Sequence, residues 1–154
     1  MNAMLPKWIV ASVAKHLEPV AAVCGIGYYV DGVHERGDLV RESHAEIRIT
    51  GPFTKTLDGM VDRHDVIVNV LITAQMHMLE NSYDMFEWAG KFQEAMLSTI
   101  PIKKYGNGDE LLGCLKPRDR KADSISIFHF GQIKGTDRLR QTEIDGTFEI
   151  WVQR

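Results

Sequence analysis

The run Asp65–Ala74, "DVIVNVLITA", constrains this chain more than any other stretch. Nearly every residue in it is β-branched or aliphatic, which suits a pleated surface. It predicts a strand in the middle of a sheet, covered on both faces for part of its length. A central strand needs neighbours, and His44–Thr50 supplies one: Ala45, Ile47 and Ile49 alternate with His44, Glu46 and Arg48, the period of a strand with one wet face. Gly51-Pro52 is expected to end it, because proline has no N–H to give to a continuing ladder. Between the two strands lie the fourteen residues "GPFTKTLDGMVDRH". That is far more than a tight turn needs, so an arm or an extended hairpin is expected there.

Helices and further strands flank this pair. Leu5, Ile9, Val13 and Leu17 recur every fourth residue and predict an amphipathic helix over Leu5–Leu17, with Pro6 in its first turn and Pro19 as its stop. Ile26, Tyr28 and Val30 alternate in a strand over Gly25–His34 that ends at Asp31-Gly32, and the charged "HERGDLVRES" runs over the surface. A second helix is expected over Asn81–Ile100, with Asp84 and Glu87 at its positive end and Pro101 closing it. Its apolar stripe is read as Phe86, Ala89, Gln93, Met96 and Ile100. "YGNGDELLGCLKPRDRKADS" reads as a long connection with a short apolar piece, and Ser124–Ile133 with Leu139–Val152 as a C-terminal β-hairpin. Helix, three strands, helix, two strands, without tight βαβ units, predicts an α+β fold. The expected form is a mainly antiparallel sheet with two helices packed on one face and protruding hairpin or arm loops.

Composition bounds the answer without supplying a function. The 154 residues fit one domain, 44% apolar and 25% charged, and a formal net charge of −3 gives no whole-chain case for nucleic-acid binding. Cys24 and Cys114 form no C-x-x-C and read as small buried thiols in a reducing compartment. The N-terminal "MNAMLPKWIVASVAKHL" has a lysine inside its apolar run and is not read as a signal peptide. No stretch reaches the roughly 20 apolar residues of a membrane helix, so no membrane association and a cytoplasmic location are expected.

The motifs that carry chemistry are incomplete. The six histidines include no H-E-x-x-H. "HAE" at His44–Glu46 echoes the H-x-E of zinc deaminases, but no P-C-x-x-C follows to complete the metal site. "GYYVDGV" and "GDELLGC" have the glycines of a phosphate-binding loop and place Val33 and Cys114 where its lysine belongs. No nucleophile elbow is present. In "FHFGQIKGTDRLRQ", His129 alternates away from Phe128 and Phe130 and finds no partner, while Gly131 reads as a bulge. The basic strips "KPRDRK" and "KGTDRLR" are diluted by aspartates and lack interleaved aromatics. No catalytic, cofactor or metal residue is assigned.

The stretches "HAEIRITGPFTK", "VIVNVLI", "IPIKKYGNGDELLGCLKP" and "HFGQIKGTDRLRQTEIDGTFEI", in their order between two helices, resemble the tail terminator family of long-tailed bacteriophages. More loosely they resemble tail-completion and head–tail joining proteins. The resemblance implies a non-enzymatic virion protein of the tail neck, assembled in the host cytoplasm as a ring, commonly a hexamer. Such a ring caps the tail tube protein at the head-proximal end and meets the head–tail connector or neck protein. It needs no cofactor, and DNA meets it only while passing through the channel. The arm and the C-terminal hairpin would join neighbours, with Phe53, Lys55, Asp58, Arg63, Arg138 and Arg140 as candidate subunit contacts. Another neck component, or a small DNA-binding module, is the alternative.

Overall fold

The computed structural model describes residues 3–34, 42–56, 60–75, 83–106, 108–118, 125–132 and 139–153. In chain order they form α1 (Leu5–Cys24), β1 (Gly27–Val30), β2 (His44–Thr56), β3 (Val61–Gln75), α2 (Asp84–Leu97), β4 (Ile100–Lys104), β5 (Glu110–Pro117), β6 (Ile125–Gln132) and β7 (Leu139–Gln153). The strand order is β1-β2-β3-β7-β5-β4, with β6 also on β7. The predicted central strand is central. β3 pairs antiparallel with β2 on one side, and with β7 on the other from Val61↔Gln153 to Gln75↔Leu139. Val66, Val68, Val70 and Ile72 face inward and are wholly buried. Ile67, Asn69 and Leu71 face outward and stay half-buried.

The expected layered α+β arrangement does not hold. The described chain is mostly strand, the sheet is mixed because β1 runs parallel to β2, and it curls into half of a barrel. Two hydrogen bonds show how tightly it curls. Tyr28 of β1 donates its hydroxyl to the Ala14 carbonyl (2.6 Å), and the Lys103 N–H of β4 donates to Ser12 Oγ (2.9 Å). Ser12 and Ala14 are separated by about 3 Å of helix rise. Yet they hold the two ends of the strand order, which a flat sheet would keep about 24 Å apart.

The sequence reading missed the curl because β4 and β5 lie in what it took for the end of a helix and a connection. Helix α2 stops at Leu97, and Ile100 and Ile102 begin a strand whose edge position tolerates Pro101. β5 follows β4 for most of its length and meets β7 only at Lys116↔Glu149 and Pro117↔Phe148. Gly113 makes this close crossing possible. A Cβ there would stand 3.1 Å from the Ile150 side chain and 3.2 Å from the Trp151 carbonyl.

Three other expectations shift for physical reasons. Pro19 does not stop α1, which continues to Cys24 and closes on left-handed Gly25 (φ 69°). The buried stripe Leu5, Ile9, Val13, Leu17 and Ala21 runs past the proline and outweighs its missing hydrogen bond. Gly51-Pro52 does not end β2, because the register breaks between Thr50 and Phe53 and the proline falls in that bulge. Gly51 is required there: at φ 110°, a Cβ would sit 2.8 Å from the Asp65 carbonyl. The buried stripe of α2 is Met85, Ala89, Phe92 and Met96, so Phe86 stays exposed.

The long expected hairpins are present. β2 and β3 pair out to Thr56↔Asp62, and β6 pairs with β7 from Ile125↔Gly146 to Gln132↔Arg140, with a bulge between His129 and Gly131. Ser12 is buried and caps the open edge of β4. Ser12→Ala is therefore expected to cost about 1–3 kcal/mol, because the Lys103 N–H loses its acceptor. Val23→Ala, at a residue 71% exposed, is expected to stay within about 0.5 kcal/mol. Urea unfolding of the two variants checks the pair.

Candidate functional site

The candidate contacts fall at two ends of one sheet. Phe53 follows the Gly51 bulge on the β2–β3 arm and is 54% exposed. Lys55 pairs opposite Arg63, and its side chain lies outside the described residues, as do Asp58 and Arg138. Arg63 is half-buried and turned towards its own chain. Its Nε stands 3.3 Å from Asp65 Oδ1, and Arg118 Nη1 approaches the other carboxylate oxygen at 3.9 Å. The Arg63 Nε and Asp65 Oδ1 atoms are buried and face each other without hydrogen-bond alignment. Arg63 therefore helps to stiffen the base of the arm. Arg140 is half-buried and pairs with Ala74 and Gln132, whereas Arg63 pairs with Trp151. Eleven residues of β3 separate Arg63 from Ala74, about 36 Å of strand. Among the described candidates, Phe53 and Arg63 thus lie at one end of the sheet and Arg140 at the other.

Other motif residues are structural. Glu46 faces the outer side yet is nearly buried, with Arg48 Nη2 at 3.5 Å, and His44 Nδ1 lies 2.9 Å from the Glu42 carbonyl. His129 packs its ring edge-on to Phe86 at 4.5 Å, with Nδ1 2.9 Å from Thr142 Oγ1. Both cysteines are free thiols and only half-buried. Among the described residues no His, Cys, Asp or Glu cluster could hold a metal, and no helix is long and apolar enough to cross a membrane. Of the basic strip "KPRDRK", residues 116–118 are described, and Arg118 is occupied by Asp65.

The fold has a counterpart among solved structures. A protein of undescribed function matches with a TM-score of 0.60 at 14% identity, over 96% of each chain. At that identity the likeness shows a shared fold alone. No protein-family model and no curated protein matches the chain.

Two surfaces escaped the sequence reading. On α1 and just past β4, Lys7 lies over the Trp8 ring (4.7 Å), Lys15 over the Tyr105 ring (4.0 Å), and Trp8 meets Tyr105 edge-on at 6.3 Å. Trp8 and Lys15 are seven residues apart, close to two helical turns, and Tyr105 joins them only through the curl. On the outer side of β7, Glu143, Asp145 and Glu149 alternate with buried Ile144, Phe148 and Ile150, and Glu143 accepts from Asn69. The alternation was visible in the sequence. That it leaves acids on one open face required the strand pairing.

His64 is the titratable group most changed by folding on the arm. It faces inward, is 2% exposed, and shares a 2.9 Å hydrogen bond with Thr54 Oγ1. Burial holds its imidazole below the ordinary histidine range, against the opposing pull of Asp62. The folded state therefore favours neutral His64. The stability it contributes is complete above the ordinary histidine value and is lost as pH falls through the lowered one. Tm is expected to fall between about pH 7.5 and about pH 5, and less steeply in His64→Phe. Thermal melts across that range check this.

Proposed function

We propose that this chain is a virion structural protein of the tail terminator type, which forms a ring at the head-proximal end of a phage tail tube, stops tube polymerisation and offers the head–tail joining surface. One observation carries the reading. Two long hairpins carry large exposed apolar side chains: Phe53 (54%) on β2, Met60 (75%) in the turn before β3, and Phe128 (56%) and Phe130 (57%) on β6. An isolated domain gains nothing from holding aromatic groups in water on rigid strands, whereas a subunit interface buries them. Among the described residues β6 has β7 as its one strand partner, and an edge without a partner is where a neighbour's strand can add. The curled sheet suits this role, since a ring lining is built from curved walls set side by side.

Light scattering on the purified protein tests the ring, and imaging of phage tests its place. A closed oligomer is expected, together with tails of uncontrolled length when the reading frame is inactivated. A strict monomer absent from virions would overturn the proposal. A protein found in the neck but away from the last tube ring would make it another neck component. Phe53→Ala is expected to weaken assembly at least tenfold, since loss of a central interface aromatic costs about 2 kcal/mol or more. Sedimentation across a concentration series reads that change.

A further inference from the structure

Two segments that the curl brings together are basic and free of acids. Residues 7–16 of α1, and 100–105 of β4 and the residue after it, carry Lys7, Lys15, Lys103 and Lys104 and no carboxylate. This local excess stands in a chain whose net charge is −3. Ser12, Lys15, His16, Lys103 and Tyr105 from the two segments line a depression of about 160 Å³. Its two amines are anchored by different means. Lys15 lies over the Tyr105 ring at 4.0 Å, a contact that holds the ammonium without neutralising it. Lys103 is tied to α1 through its own N–H, which donates to the buried Ser12 Oγ at 2.9 Å. His16 Nε2 donates to the Ala95 carbonyl at 2.9 Å, which fixes its ring as part of the wall. Among the described residues neither lysine is in an ion pair within 4.0 Å, although Glu18 follows Lys15 by three residues.

We propose that this depression is a phosphate-binding site, in which the Lys15 and Lys103 ammonium groups donate to the oxygens of one phosphate group. Charge and size select the ligand. A phosphate monoester brings about two negative charges and three acceptor oxygens, enough for both amines at once. Lysine serves as a point charge for phosphate, whereas a planar carboxylate is matched best by the fork of an arginine. Neither segment contains an arginine. Sites for whole drug-sized ligands have about 300 Å³ or more, so a depression of this volume suits a single anionic group. Amines already cover a face of the Trp8 and Tyr105 rings, which leaves recognition to charge and not to base stacking. A free phosphate compound and the phosphates of a nucleic-acid strand offer the same chemistry. The site lies within one protomer, so it stands apart from the ring reading.

The test compares melting of the full chain in inorganic phosphate and in chloride at equal ionic strength. Tm is expected to rise and to saturate with phosphate, as when a ligand binds only the folded state. In Lys15→Ala/Lys103→Ala, half-saturation is expected to need at least about tenfold more phosphate, since each amine makes a charged hydrogen bond. Lys15→Gln alone, at an exposed side chain, is expected to shift it in the same direction and serves if the double variant fails to fold. An equal rise in the unaltered and altered chains would show salt exclusion alone and overturn the proposal. An equal response to acetate would assign the site to carboxylates and overturn it too. A fluorescein-labelled single strand without a terminal phosphate separates the two sources. Binding that inorganic phosphate displaces, and that the double variant loses, assigns the backbone of a nucleic acid. Saturable phosphate binding without strand binding assigns a free phosphate compound.

Discussion

The fold depends on α1 reaching both ends of the sheet at once. Tyr28 holds β1 through the Ala14 carbonyl, Ser12 caps β4, and His16 Nε2 lies 2.9 Å from the Ala95 carbonyl near the end of α2. Ser12, Ala14 and His16 lie within about one turn of the helix. The Ser12 bond occupies an N–H on the open edge of β4, and the Ala95 carbonyl beside His16 also accepts from Ser98 Oγ (2.6 Å). Burial and nearby Glu18 push the Tyr28 phenol up, so it remains a donor at any physiological pH. The buried apolar stripe of α1 adds to these ties. Each fully buried Leu or Ile contributes about 1.5–3 kcal/mol, and the three polar ties decide where that burial is spent in space.

Much of this was legible in the sequence. Asp65–Ala74 could only be a central strand, and the spacing of Leu5, Ile9, Val13 and Leu17 named the buried face of α1. The long hairpins followed from the lengths of the gaps. The curl was not legible, because it comes from a five-residue strand and from β5, which reaches β7 only through its last two residues. Short strands rich in lysine and glycine carry no periodicity long enough to read. Prolines misled in a consistent way. Pro19, Pro52 and Pro101 each read as a terminator, and each is accommodated, by helix packing, by a bulge and by an edge strand respectively.

The candidate contacts were legible as residue types and not as places. Phe53 stands exposed on the arm, while Arg63 is drawn in by Asp65, which sequence spacing alone cannot distinguish. The surfaces on α1 and on β7 were invisible for a further reason. Each becomes a surface only when residues far apart in the chain are brought together by strand pairing, as when Tyr105 comes to stand beside Trp8.

β7 has a mechanical consequence of its own. One edge is zipped to β3 throughout, while the other is shared in sequence by β6 and then β5. Its fifteen residues span about 50 Å, and no single neighbour ends where another begins on the opposite side. Staggered joints of this kind make a lap-jointed beam. A load taken up at the arm is delivered to the far hairpin as a shift of the whole beam, with little bending between.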